Sequence, residues 1–354
     1  YPFCHEFQAM LPKSLRTLTV IIYNTWMKSK DWRMDVLPLG LQELIFTTKG
    51  RWSMAKDDHF GGALRKISCG GVNPSKLPRE LKYLVCYNID CDALTSVNSY
   101  IESLKELPPN LEHLCMIPIS HVNRGIVSVL PRTLRTLWFD FEDQQYQQNT
   151  FIIEADDLPP NLTNLTMANR EMYIFVDDIP KLPKTLTVLD NVVFGFNKGR
   201  QNAESVDLRC LPKLEMLGCK VKGKKKIHLP NSLTRLTINR KPVEYPVNLL
   251  ELMADFNIIE SDFALLPRTL RKLEAKSIVD GKSAKYPPEI EEIAANSLSL
   301  TRSLLPQTVF SVLALEKYGG ISYKLIETID GSTLNPYDFA GNSGSYPIND
   351  ANFD

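Results

Sequence analysis

The chain has 354 residues, and 41 lysines and arginines balance 41 aspartates and glutamates, so its formal net charge is zero. Nucleic acid and anionic membrane surfaces attract a basic excess, so neither is an expected partner. No apolar run is long enough to span a bilayer. Length alone suggests two or three domains, unless the chain is an array of repeats, which grows without enlarging a central core.

The first residues, "YPFCHEFQAM", show no initiating methionine and no basic-then-apolar leader. The expectation is a capping segment at 1–10 of a processed or partial chain, without a targeting signal and in a cytoplasmic or virion setting. From Leu11 one string recurs: "LPKSLRTLTV" (11–20), "LPRTLRTLWF" (130–139), "LPPNLTNLTM" (158–167), "LPNSLTRLTI" (229–238) and "LPRTLRKLEA" (266–275). Alignment on the proline places units at 12, 38, 61, 78, 108, 131, 159, 183, 212, 230, 246, 267, 287 and 306. Gly61 replaces the proline once, and the unit at 212 is one residue shorter. These fourteen units lie 16 to 30 residues apart.

Four columns follow from this register. Leu, Phe or Tyr precedes the proline. An aliphatic stands three residues after it (Leu15 through Leu134 to Val309), and another three further on (Leu18 through Leu137 to Val312). Two residues beyond sits a fourth position, apolar in thirteen of the fourteen units, the exception being Asn191. Two apolar positions two residues apart mark a strand with one buried face. Proline fixes φ and lacks an N–H, which suits the bend into that strand. Small polar residues before the second column, such as Ser14, Thr133, Thr185, Ser232 and Thr269, are expected to bond nearby backbone and hold the turn. One unit cannot bury its apolar side alone, whereas stacked units can. The expected fold over 11–315 is therefore a leucine-rich-repeat solenoid of about fourteen repeats. It has a parallel β-sheet on the concave face and irregular loops, short turns or helices on the convex face.

The openings "LPNSLTRLTI", "LPKSLRTLTV" and "LPKTLTVLD" resemble the FNIP repeat family of social amoebae and giant viruses, whose unit opens LPxSLxxL and runs to a Phe-Asn. "FGFN" (194–197) and "DFN" (255–257) resemble its later part. A weaker similarity is to the LPxxL repeats of secreted bacterial ubiquitin-ligase effectors, whose regular asparagine and constant length this chain lacks. Both resemblances imply a binding surface rather than a particular activity.

Within the array, "KSKDWRMDV" (28–36), "TKGRWSMAKDDH" (48–59) and "DFEDQQYQQNTFIIEADD" (140–157) are expected to project from the return side, as contact points or as tolerated drift. Positions five and seven residues after the proline face outward from the sheet. They hold Tyr83, Val85, His113, Cys115, Thr136 and Trp138, with Tyr87 close by. Tyr83, Tyr87, His113 and Trp138 are the candidate partner-binding residues; the alternative is that they pack on neighbouring rungs. Farther on, Arg235, Glu251, Lys272 and Glu292 alternate in sign, which predicts cross-strand ion pairs. "KVKGKKK" (220–226) reads as a solvated turn or as a grip for acid or phosphate. The sequons at Asn161 and Asn164 arise from the repeat itself. Seven cysteines without a C-x-x-C pair suggest free, buried thiols, no metal site and no cofactor. No catalytic fingerprint is present, which argues against an enzyme.

Beyond Tyr318 the repeat is lost. Residues 316–354 hold six acids against two lysines and form the expected C-terminal cap and tail, with Tyr337, Phe339, Tyr346 and Phe353 as candidate partner anchors. The functional expectation is a non-enzymatic protein-protein interaction or scaffold protein, in its specific form a structural component of a large assembly such as a giant-virus particle. The alternative is a recognition subunit or effector working with a ubiquitin ligase.

Overall fold

Every copy of the recurrent string begins with the same tight turn. In thirteen of the fourteen copies the carbonyl of the turn's first residue accepts the N–H three residues on: Pro12 from Leu15 (3.0 Å), Pro78 from Leu81 (3.0 Å), Pro131 from Leu134 (3.2 Å). Gly61 serves Leu64 in the same way at 3.2 Å, so the turn needs the carbonyl and not the ring. In the shorter unit Leu211 takes this place, accepting from Leu214 at 3.2 Å. The computed structural model in which these bonds are seen describes residues 7–8, 10–22, 36–48, 60–89, 97–116, 125–140, 151–168, 171–196, 204–300, 305–309, 311–318 and 321–327. The chain divides into two units, Tyr1–Ser232 and Leu233–Asp354.

In the first unit the strands are β1 (Thr17–Ile22), β2 (Glu43–Thr48), β3 (Lys66–Val72), β4 (Tyr83–Ile89), β5 (His113–Met116), β6 (Thr136–Asp140), β7 (Phe151–Ile152), β8 (Asn164–Ala168), β9 (Met172–Phe175), β10 (Val188–Gly195), β11 (Ser205–Asp207), β12 (Met216–Val221) and β13 (Lys226–His228). β1 to β6, β8, β10 and β12 pair in parallel, each with the next. Each is the strand of one aligned copy. β7 pairs with β9, β9 with the second half of β10, and β11 with β13, all in parallel. The second unit continues the pattern in β14 (Arg235–Ile238), β15 (Glu251–Ile259), β16 (Lys272–Val279), β17 (Glu292–Ser299) and β18 (Ser311–Tyr318). Each aligned copy thus gives one rung, nine in the first unit and five in the second, parallel within each unit. β19 (Ile321–Glu327) turns back antiparallel on β18. A two-residue connection can join antiparallel neighbours but cannot make a parallel crossover.

A regular joint locks each rung to the one before. The residue after the turn leucine offers one carbonyl to two successive N–H groups of the next rung. Arg65 accepts from Lys82 and Tyr83 (2.9 and 3.0 Å), Lys82 from Glu112 and His113 (both 2.9 Å), and Glu112 from Arg135 and Thr136 (2.7 and 3.1 Å). In the second unit Leu250 accepts from Arg271 and Lys272 (2.8 and 3.0 Å). A carbonyl has two lone pairs, and both are used here.

The small polar column does something other than brace its own turn. The Thr133 hydroxyl lies 2.8 and 2.7 Å from the carbonyls of Pro109 and Leu111, on the preceding rung. Thr185 reaches Leu162, Ser232 reaches Leu214, Thr269 reaches Leu249 and Thr308 reaches Ile290 in the same manner, at 2.7 to 2.9 Å. The hydroxyl therefore staples neighbouring rungs. Thr133→Val, which keeps the shape and removes the donor, is expected to cost about 1 kcal/mol in the urea unfolding free energy. Unchanged stability would show the staple to be incidental.

The return side is built from short helical turns: 3₁₀ segments at Pro74–Lys76, Val127–Val129, Ala155–Asp157 and Val176–Lys181, and helices α1 (Val97–Leu104) and α2 (Glu260–Phe263). Each 3₁₀ segment stops at the leucine of the next "LP". Leu77, Leu130, Leu158 and Leu182 all have φ between −56 and −70° and ψ between 142 and 152°. A residue before proline is driven out of the helical region, so the same dipeptide ends the return and starts the rung. α1 packs on β4 and buries Tyr100.

The apolar columns meet between the sheet and the return segments. Leu134, Leu137 and Phe139 are wholly buried, as are Leu162, Leu165 and their counterparts along both units. Cys69, Cys86 and Cys219 lie in the same layer, where burial raises their thiols well above the ordinary range and makes them poor nucleophiles. Two places differ from the expected register. In β18 Val312 is half-buried and Leu313 buried, where that strand meets antiparallel β19 rather than a further rung. In β10 the fourth-column position belongs to Val192, not Asn191. Leu189 pairs with Leu217 and Val192 with Cys219, so β10 carries one extra residue, a β-bulge. Asn191 occupies it with φ of 57°, a left-handed conformation that asparagine tolerates. Each unit is a leucine-rich-repeat solenoid, with a parallel sheet on one side and short turns and helices on the other.

Candidate protein-binding face

On the outward face of the first unit two rows run across the strands. Tyr83, His113, Thr136 and Asn164 are register neighbours in one, and Val85, Cys115, Trp138 and Thr166 in the other. All are half-buried. Strands about 4.8 Å apart bring the rings on neighbouring rungs into contact. Tyr83 and His113 stack with centroids 4.2 Å apart and planes 3° from parallel. Because the stack runs from rung to rung, the rings turn their edges, not their faces, to whatever docks on the sheet. Tyr83 and His113 thus pack on each other, as the rung-packing alternative expects, and both stay half-buried. Tyr87 lies in β4 with its side chain outside the described residues, and Tyr337, Phe339, Tyr346 and Phe353 also fall outside them.

His113 Nδ1 lies 3.0 Å from Thr136 Oγ1. Burial lowers its pKa, with Glu112 pulling upward and Arg135 and Lys82 pushing down. Trp138 lies one rung on from Cys115. Its indole N–H is out of solvent and has no acceptor among the described residues. An unpaired buried donor costs about 1–3 kcal/mol.

Residues just after the turn leucine form a third row at the leading edge of this face, and sequence reasoning passed them over. Lys82 Nζ lies 2.8 Å from Glu112 Oε1, and Arg135 Nε lies 3.8 Å from Glu112 Oε2. The hydrogen bond from Lys82 holds the Glu112 carboxyl below its ordinary range. The signal was available in the constant offset of Arg65, Lys82, Glu112 and Arg135 from the proline. It is hidden because this column is neither apolar nor uniform in type.

Farther along, the bulge in β10 places the half-buried Asp190 carboxylate against Gly218, where a Cβ would collide with it. The Asn191 N–H donates to Asp190 Oδ1 at 2.9 Å. Burial nonetheless raises the Asp190 pKa, outweighing that bond. A raised folded-state pKa means the fold disfavours the charged carboxylate. The penalty is present above the folded pKa and disappears as pH falls below the unfolded value. Asp190→Asn should therefore raise the melting temperature at pH 7, with the gain vanishing in acid. A gain that persists in acid, or a loss at pH 7, would contradict this.

In the second unit Arg235 faces Glu251 at 3.5 Å and Lys272 faces Glu292 at 3.3 Å, the expected alternating pairs. The lysine run is spread around a turn at Gly223, which has φ of 75°. Lys220 pairs with Glu171 at 2.6 Å, Lys222 lies 4.2 Å over the Tyr173 ring and Lys225 5.1 Å over Phe196. These contacts fit the solvated-turn reading. Among the described residues no cluster of three or more His, Cys, Asp or Glu could hold a metal ion, and no helix is long and apolar enough to cross a membrane.

No family model matches the chain, and no curated protein does. Among solved structures, the leucine-rich-repeat-containing protein LegL7 from Legionella pneumophila aligns over 90% of this chain and 93% of its own, at 9% identity and a TM-score of 0.27. A likeness that slight carries no argument, and the fold rests on the ladder itself.

Proposed function

We propose that the chain is a non-enzymatic interaction scaffold that binds a protein partner on the outward face of β3 to β6. One observation supports this most: half-exposed Tyr83, His113 and Trp138 gathered on a hydrogen-bonded ladder. Aromatic anchors on a rigid surface lose little side-chain freedom on binding, and such residues dominate interface energetics. The test is affinity purification of the wild type beside a Tyr83→Ala/Trp138→Ala variant shown to melt normally. Specific partners should be lost from the variant. Recovery of the same partners by both chains would move the binding site elsewhere.

The finer setting rests on sequence resemblance to FNIP repeats: a structural component of a large assembly such as a giant-virus particle, in a cytoplasmic or virion location. Co-purification with capsid proteins would support it, and co-purification with ligase subunits would favour the ubiquitin-ligase alternative. The proposed organisation is a cap at 1–10, the solenoid at 11–315 and a cap with tail at 316–354. Tyr337, Phe339, Tyr346 and Phe353 are proposed as second anchors. Unchanged assembly and stability after removal of 331–354 would exclude that role.

A further inference from the structure

We propose that Cys86, with Met116 on one side and Cys69 on the other, forms a binding site for a single cuprous ion in the inner layer of the first unit. The three residues share one inward row. Cys69 on β3 is the register partner of Cys86 on β4, and Cys86 is that of Met116 on β5. All three are buried. Phe139, the next register neighbour, is also wholly buried and closes the row with an apolar ring. Three sulfurs on successive rungs are thus gathered where water does not reach. The inward layer holds one other cysteine, Cys219, and its register neighbour on β10 is the apolar Val192.

Ligand type and charge select the ion. Thiolate and thioether sulfurs are soft donors and suit Cu(I). Structural zinc asks for four ligands in a tetrahedron and carries two charges. Among the described residues no third His, Cys, Asp or Glu joins the two cysteines. Cu(I) accepts two or three sulfurs, and it carries the same charge as the proton it displaces, so the dry layer stays neutral. The exchange is balanced: the Cys86 S–H bond breaks, a copper–sulfur bond forms, the proton leaves to solvent, and no oxidation state changes. Cys86 is the cysteine that ionises, because it stands between the other two sulfurs. Burial, and then the neighbouring Cys69, keeps its bare thiolate from forming, and a metal ion takes the proton's place without exposing that charge. Cys69 keeps its proton, which its thiol donates to the Gly71 carbonyl at 3.9 Å. Rungs about 4.8 Å apart match two metal–sulfur bonds of about 2.3 Å placed end to end. A disulfide between Cys69 and Cys86 would need Cβ atoms about 3.8 Å apart, closer than the rungs stand. Met116 is flexible enough to bring its sulfur onto the ion. Bound there, copper would tie β3, β4 and β5 together beneath the outward face.

The test uses the full-length chain with Cys4, Cys91, Cys115 and Cys210 changed to serine, which removes competing thiols. It is refolded from urea under nitrogen with Cu(I) supplied as its bicinchoninate complex, so that burial does not bar entry. The chain should withdraw one Cu(I) from the chelator, show only sulfur around copper in X-ray absorption, and melt at a higher temperature than without copper. Its apparent affinity should rise about tenfold per pH unit, the mark of one proton released per ion. Cys86→Ala should lose the ion. Met116→Leu, which conserves volume, should bind it more weakly. Cys219→Ala should bind it unchanged. No copper retained, retention by Cys86→Ala, indifference to Met116→Leu, loss in Cys219→Ala, or two protons released would each overturn the proposal. Should Cys86→Ala fail to melt like its parent, Met116→Leu and the proton count decide. Should the serine chain itself fail, the wild type and its Met116→Leu variant are compared. Every other thiol is then common to both, and equal copper affinity would overturn the site.

Discussion

Leu137→Ala is expected to lower the unfolding free energy by about 2–5 kcal/mol, measured by urea denaturation followed by circular dichroism. Leu137 is wholly buried and sits in register between Leu114 on β5 and Leu165 on β8. The cavity left by its side chain cannot close by bringing rungs together, because the paired carbonyl joints fix strand spacing near 4.8 Å. The cost should fall near the top of the range for that reason. Leu18→Ala on β1 provides the contrast. Leu18 keeps 8% exposure, and β1 pairs only with β2 among the described residues. It should cost less than half as much. Equal losses at the two sites would mean that stability is not assembled from nearest-neighbour rung contacts, contrary to the behaviour of a repeat array.

Asn191→Val is expected to cost about 2–4 kcal/mol, from two sources. A β-branched residue resists the left-handed backbone at φ of 57°. The substitution also removes the hydrogen bond from Asn191 Nδ2 to the Met167 carbonyl at 3.0 Å. Asn191→Gly separates these contributions. Glycine accepts the backbone and lacks the amide, so it should cost only about 1 kcal/mol. If valine and glycine are tolerated alike, the backbone at this position carries no strain. The bulge also sets where Asp190 and Val192 point, so the valine variant should shift the pH dependence assigned to Asp190.

The contrast between these two sites shows what a linear sequence discloses. Leu137 was legible because it recurs: an aliphatic residue at the same place in copy after copy can only be a repeated inward position, and the rungs follow from it. Asn191 was visible as the one polar residue in an apolar column, but nothing local distinguishes a polar core residue from an inserted one. The answer lay in the pairing of β10 with β12, a relation between residues 27 or 28 apart in the chain. The hydroxyl column was similarly half-readable. Its residue types were plain, while its partners proved to be carbonyls on the preceding rung, 18 to 24 residues away. The outward aromatics could be placed by counting from the proline. The mutual stacking of Tyr83 and His113 and the orphaned indole N–H of Trp138 depend on side-chain torsions that no periodicity encodes.

The one-carbonyl joint has a consequence for how such a molecule comes to exist. Since the backbone makes it, a tandem duplication that adds a whole copy of the segment supplies its own fastening at both ends, whatever side chains come with it. A gene carrying this architecture can therefore lengthen or shorten by recombination between its own copies and still encode a product that folds.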